Sequence, residues 1–509
     1  MSTRPDLRPV AKSFKSTQTE TLLLLSVLAA VCLAIASAVR MAAIPYQLDY
    51  GEGLMVEGAL SIRHSQPLYP NPFDFPVVLH EYGPVAYAAV ASVLPGGDAS
   101  FPQGRLLMLA CSIALSLLLS SILWRETGSW RIGLSFGLLL LTLPAFRLWL
   151  YVTRADLIGV ALCLVGVALY LWKPQLWYCN IPFFALAIFS KYTLIAAPMA
   201  VFAHLILNRQ PKRGLGFAVT LGTVCTLTFA ALQAATGRWF AFHMFLTHSG
   251  PYSVRRFLVA GTLVWASAPV VTLLALWYAA RQFRARRWTF PAIYIFMSFL
   301  TAFTAGKLGA NTNHFLEWMV AACMCAGLAY SAIPSEYPSK LLPVTLLLSV
   351  SVVAGAIVQS LQPPSGLAEC GEAYQYVKNS RSNTILAENL GPLLAARKAI
   401  LVSDPFAYFQ MVRNGWPDRK LEELVKQRFF GLIVVETEPS QMKLGGSEIW
   451  PEPIVDAMNQ NYRAAARFSC RGAAVMLEPI SANHDQADAP ERAALIRAKP
   501  ADADASAHR

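Results

Sequence analysis

The chemistry available to this chain rests on a few ionisable residues set among apolar blocks. Six carboxylates, Asp49, Glu52, Glu57, Glu81, Asp156 and Glu317, fall at or near the ends of apolar segments. Arg154, Lys191, Lys307 and the pair Arg255-Arg256 occupy comparable positions. A carboxylate can take a proton from a hydroxyl, and cations can hold a departing phosphate, so the set suits group transfer. Ionisable groups beside membrane-length segments are costly unless they face a cavity or a partner, which makes them functional candidates. Glu57 and Asp74 read instead as solvated loop carboxylates, and Arg255-Arg256 also fits a pair snorkelling at a helix end. His80-Glu81 and His314 lack the spacing of a metal motif and read as ordinary hydrogen-bonding residues. No metal site is assigned, and a divalent metal is left open without support. With no Walker motif, dinucleotide fingerprint or Cys/His cluster, no cofactor is implied, and ATP-driven transport and redox chemistry lack support.

The elements that position these residues are membrane helices. Mean hydropathy is +0.44, and only 14% of residues are charged, far from the usual balance of a soluble domain. Leu22–Val39, Leu106–Trp124 and Leu341–Ser360 each approach the ~20 apolar residues that a helix needs to cross the hydrocarbon core. They lack the alternation of an outer-membrane barrel, and the first run is too long for a cleavable signal peptide. The formal charge of +12 is spread in short clusters between apolar blocks, which orients membrane helices and argues against nucleic acid.

Arg4, Arg8, Lys12 and Lys15 place the N-terminal segment 1–21 in the cytoplasm. The later clusters at Arg125 with Arg131, at Arg209 to Arg213, and from Arg281 to Arg287 can share that side only if Pro84–Leu94 does not cross. That segment reads as an interfacial or re-entrant helix in a long outer loop, 44–105. Spans are then expected at about 22–43, 106–124, 132–147, 157–172, 176–190, 192–208, 215–235, 261–280, 289–305, 318–333 and 341–360. The expected fold class is therefore an α-helical polytopic membrane protein of about eleven transmembrane helices, its module covering 22–362, with the C-terminal region outside.

After Gln362-Pro-Pro364 the composition changes. Thr384–Glu388, Ala399–Val402 and Leu432–Glu436 read as short buried strands, and Leu421–Lys426 as helix, which predicts a small α/β soluble domain over 363–480. The remaining tail, 481–509, has the composition of a disordered segment. Cys370 and Cys470 flank the domain, and on an oxidising side a bond between them ties its first helix to its last strand.

The run Leu48-Asp49-Tyr50-Gly51-Glu52-Gly53 follows the first span directly, then Pro67-Leu68-Tyr69 and Glu81-Tyr82-Gly83-Pro84. This arrangement resembles the first outer loop of the GT-C glycosyltransferases, which include mannose and aminoarabinose transferases using polyprenyl-phosphate sugars. The resemblance continues in Arg154-Ala-Asp156, Ser190-Lys191, Gly306-Lys307 and Asn311-Thr-Asn313-His314-Phe-Leu-Glu317. It covers residues 20–360 as an ordered series, with one departure: Glu81-Tyr-Gly-Pro84 stands where many relatives carry Pro-Pro.

The resemblance implies an outer-face enzyme, without nucleic-acid partners, that moves a sugar from a polyprenyl-phosphate donor to a glycan, lipid or protein acceptor, with inversion. Asp49, Glu52 and Asp156 are the expected catalytic carboxylates, with Asp49 as base and Glu52 assisting or exchanging roles with it. Glu81, Arg154, Lys191, Arg255, Arg256, Lys307, Asn313, His314 and Glu317 are the expected donor- and substrate-binding residues. The competing reading is a secondary transporter or lipid flippase. Transporters place their charges near the bilayer midplane, often in repeated halves, whereas here the charges gather at one face.

Overall fold

The computed structural model describes residues 14–96, 98–247, 250–333, 338–360, 367–415, 420–445, 449–470 and 474–480. Most of the expected N-terminal segment and the whole of the expected tail lie outside the described residues. The chain divides into two compact units: Met1–Leu68 with His80–Pro364, and Tyr69–Leu79 with Ser365–Arg509. Eleven residues of the first loop thus belong with the C-terminal unit, although composition groups them with the membrane module.

The first unit is helical. α1 (Phe14–Ala42) is followed by two short helices, α2 (Tyr50–Arg63) and α3 (Pro84–Ala91), then by α4 (Phe101–Thr127) and α5 (Trp130–Leu139). The single turn α6 (Pro144–Arg147) leads to α7 (Ala155–Trp172), α8 (Ile181–Ile188), α9 (Ala196–Leu207) and α10 (Pro211–Ala235). α11 (Val254–Ser267), α12 (Pro269–Arg284), α13 (Phe290–Ala302), α14 (Leu316–Ser331) and α15 (Pro338–Ser360) complete it.

Among the described residues, four helices are long and apolar enough to cross a membrane: Thr17–Ala42 within α1, α4, α7 and α10. The bent pair α11 and α12 makes a fifth if it counts as one span. Shorter apolar helices stand at most of the other expected spans. The segment expected as one span over 261–280 is broken: α11 and α12 meet at 99°. Pro269 opens α12 after Ala268, whose ψ of 59° is non-helical, and proline cannot continue a helix across that point. α14 is the core of the unit, buried from Leu316 to Gly327. α10 is its opposite: mostly apolar after its basic first turn, yet exposed at Leu215, Val219 and Leu227, a surface suited to lipid.

The second unit holds a four-stranded sheet in the order β1 (Ile385–Ala387), β2 (Leu432–Val435), β4 (Ala474–Pro479), β3 (Tyr462–Phe468). β1 and β2 are parallel, while β4 is antiparallel to both of its neighbours. The helices are α16 (Leu367–Asn379), α17 (Gly391–Ala396), α18 (Pro405–Arg413), α19 (Lys420–Lys426), α20 (Pro439–Gly445) and α21 (Glu452–Asn461). The strand expected at Ala399–Val402 does not form; Val402 makes one parallel bridge to Val77 of the first-loop segment. Cys370 and Cys470 are disulfide-bonded, with Cα atoms 4.5 Å apart. Because β4 follows Cys470, the bond ties α16 to the β3–β4 connection rather than to the last strand.

Candidate active site

The site is built in the first unit by segments far apart in sequence. Asp49 is the N-cap of α2: its Oδ1 accepts from the Gly51 amide at 3.0 Å, as a capping carboxylate does. The same oxygen accepts from Arg154 Nη1 at 3.0 Å, and the Asp49 side chain keeps 29% exposure. Arg154 lies near the rings of Tyr82 and Trp149, 5.9 and 5.8 Å from their centroids. A Cβ at Gly51 would stand 1.6 Å from Arg154 Nη1, so a side chain there displaces the guanidinium from its present position. Burial pushes the neighbouring Tyr82 phenol well above its ordinary pKa.

Two residues on, Asp156 opens α7 and is buried. Its Oδ1 accepts from Lys191 Nζ at 2.5 Å and from Asn313 Nδ2 at 3.1 Å. Asp156 Oδ2 and Asn313 Oδ1 are buried without a hydrogen-bond partner, and both residues line a small cavity shared with Thr304, His314 and Glu317. These two oxygens are acceptors, which only a donor can satisfy. Glu317 accepts from the Ala197 amide at 3.2 Å and from Tyr294 Oη at 3.3 Å. His314 Nδ1 lies 2.7 Å from Thr304 Oγ1.

Glu81 is delivered by a backbone contact. The Gly83 amide donates to the Ser190 carbonyl at 3.0 Å, and the Val85 amide to the Phe189 carbonyl at 3.3 Å. A Cβ at Gly83 would stand 1.8 Å from the Phe189 carbonyl oxygen, so only glycine permits the approach. The Glu81-Tyr-Gly-Pro84 turn is thereby fixed against the turn that ends in Lys191. The charge of Glu81 is felt at Lys191, Arg154 and Tyr192.

Glu52 sits elsewhere than its expected role requires. It is fully buried and ion-paired with Arg105, Nε to Oε1 at 2.8 Å and Nη2 to Oε2 at 2.6 Å. It also accepts from the amides of Leu48 and Thr153, at 2.8 and 3.2 Å. Arg105 spends its other donors on the carbonyls of Ile44 and Tyr46, both at 2.5 Å. With both oxygens occupied, Glu52 anchors the loop rather than standing ready for a substrate proton. Arg105 escaped the sequence reading, though its signal was present: a lone arginine one residue before an expected span.

Glu57 is corrected outright. It lies on α2, buried, and is paired with the fully buried His80. Arg255 is exposed and Arg256 half-buried in the first turn of α11. The segment before them docks on the one that carries Lys307: the Ser253 amide donates to the Gly306 carbonyl at 2.8 Å, and that of Leu308 to Pro251 at 2.9 Å. Among the described residues, Arg255 and Lys307 form no ion pair with the candidate carboxylates. No group of three or more His, Cys, Asp or Glu among the described residues is placed to hold a metal ion.

The fold is shared with solved structures of ArnT and of an archaeal oligosaccharyltransferase. No protein-family profile and no curated protein matches the sequence. Among solved structures the chain is similar to ArnT from Cupriavidus metallidurans in the apo state, with a TM-score of 0.60 at 12% identity, covering 89% of this chain and 97% of that one. It is likewise similar to the same protein bound to undecaprenyl phosphate, with a TM-score of 0.59 at 15% identity over 90% and 99% of the two chains. A third likeness is to the oligosaccharyltransferase of Archaeoglobus fulgidus in the apo form, with a TM-score of 0.54 at 12% identity, over 93% and 75%. At these identities the likeness is one of fold.

Proposed function

We propose that this chain is a membrane glycosyltransferase that moves a sugar from a polyprenyl-phosphate donor to an acceptor hydroxyl at the outer face of the membrane. One observation carries the reading: within a GT-C fold, Asp49–Arg154 and Asp156–Lys191–Asn313 come together from α2, α7 and two distant turns. The undecaprenyl phosphate of the similar ArnT structure supports a lipid phosphate as donor. In the proposed step the acceptor oxygen attacks the anomeric carbon and its proton passes to Asp49. The bond from that carbon to the phosphate oxygen breaks, the electron pair stays on the phosphate, and a single displacement inverts the centre.

Arg154 orients Asp49, and Lys191, Arg255, Arg256 and Lys307 supply cationic charge for the phosphate. Asp156, Asn313, His314 and Glu317 receive sugar hydroxyls through their acceptors. The N-terminus is cytoplasmic, and the C-terminal unit lies outside.

The test is single-turnover transfer by purified protein against a panel of polyprenyl-phosphate sugars. Asp49→Asn removes the base while keeping its size, and is expected to lose ~10²–10⁴ in rate. Asp74→Asn, at an exposed position of the first loop, is the control and should change little. Near-normal transfer by Asp49→Asn overturns the base assignment. If Asp156→Asn is also active, the transferase reading fails.

A further inference from the structure

Beneath the first loop, the fully buried ring of His80 is held at both nitrogens. Nδ1 contacts the Leu68 carbonyl and Nε2 contacts the Glu57 carboxylate. A carbonyl oxygen only accepts, so Nδ1 must carry a proton. An ionised carboxylate also only accepts, so Nε2 must carry one as well. A neutral imidazole has a single N–H and cannot donate to both partners. The backbone amide of His80 donates to Nδ1 of His243, also fully buried, at 3.1 Å. His243 belongs to a π-helical turn, Phe242–Leu246, between α10 and α11. One residue therefore joins α2, the chain at Leu68 just beyond it and the π-turn, and the next residue along the chain is Glu81.

We propose that His80 is an imidazolium and a positioning residue for sugar transfer, pinning α2, which carries Asp49 at its start, to the strand of chain that presents Glu81. The titratable groups facing it are Glu57 from α2, Tyr87 from α3, with ring centroids 5.4 Å apart, and His243 from the π-turn. Burial disfavours the charge, but the charge and hydrogen bond of the Glu57 carboxylate and the Leu68 carbonyl together outweigh it, so the His80 pKa is raised. The imidazolium is complete below that raised pKa and is lost as pH rises through it. Deprotonation then sets an imidazole lone pair against a carboxylate or a carbonyl, and the pin loosens. The positioning role rests on the transfer reading above, whereas the double protonation does not.

Two measurements on the full-length protein separate these. With ¹⁵N-labelled histidine, the His80 ring signals, identified by their loss in His80→Gln, should report two protonated nitrogens at neutral pH. An unprotonated Nε2, with the proton on Glu57, overturns the imidazolium. For transfer, the wild-type rate should fall about tenfold or more as pH rises through the His80 titration. Glu57→Gln should be slower by a few-fold at neutral pH but lose this alkaline fall, because its amide N–H donates to a neutral Nε2 while Nδ1–H keeps the Leu68 carbonyl. An alkaline limb of unchanged size in Glu57→Gln overturns the positioning role. If no donor of the panel supports transfer, the transferase reading fails while the ring signals still decide the protonation state.

Discussion

Two acidic residues three positions apart do different work here, and their surroundings say why. Asp49 shares a single oxygen with its cap and Arg154 and remains partly exposed, which suits the base role we propose for it. Glu52 is enclosed by Arg105 and two backbone amides. A buried pair that loses one partner leaves the other charge stranded, at a cost of about 3–5 kcal/mol. Glu52→Gln is thus expected to lower thermal stability markedly in detergent, whereas Asp49→Asn should melt near the wild type; a Glu52→Gln protein of unchanged stability would remove its anchoring role. From sequence the two were indistinguishable, since both follow the first span in one short motif. What separates them is Arg105, contributed by α4 from fifty-three residues away, and no local pattern announces such a pairing. The same blindness turned Glu57 into a solvated loop residue: α2 was not foreseen, because its glycines and mixed polarity mask a helical period.

At the scale of elements, the site depends on where backbones touch. The Gly83 turn lies on the Phe189–Ser190 carbonyls with no room for a side chain. Gly83→Ala should push the two turns apart, separate Glu81 from Lys191, and cut transfer by ~10²-fold, since displacements of about 1 Å at a reacting centre can cost that much. Activity within a few-fold of wild type would show that the contact positions nothing. In the sequence Glu81-Tyr-Gly-Pro84 stood out only through the resemblance, and nothing there gave a reason for the glycine. In the C-terminal unit, β1 and β2 were legible as compact apolar runs, whereas β3 was not. Its Arg- and Ala-rich face alternates only weakly, and its burial follows that shallow alternation. The 99° break at Ala268 was missed because hydropathy sums across a proline that geometry cannot cross.

At the scale of the molecule, the orientation we propose predicts a labelling pattern. In a background lacking the free cysteines, single cysteines at Asn311 and Arg413, both exposed, should react with an impermeant thiol reagent in intact cells. A cysteine at Arg284, at the end of α12, should be protected; labelling there would reverse the topology and remove the one-sided site. The basic clusters from which this orientation is read were plain in the sequence. The division of the chain was less so, because a segment can change its allegiance without changing its composition.

That segment, Tyr69–Leu79, has a consequence for how the protein is made. Its contacts are with residues synthesised more than three hundred positions later: the Leu79 amide donates to Ser403 Oγ, and the Val77 amide to the Leu401 carbonyl. Until residues 401 to 403 have been made these two bonds cannot form, and Val77 and Leu79, both buried in the finished fold, lack that part of their surroundings. The C-terminal unit, for its part, cannot be completed from its own contiguous residues. A stretch of the first loop is thus claimed by the C-terminal unit, and synthesis that stops before residue 401 leaves both of them unfinished.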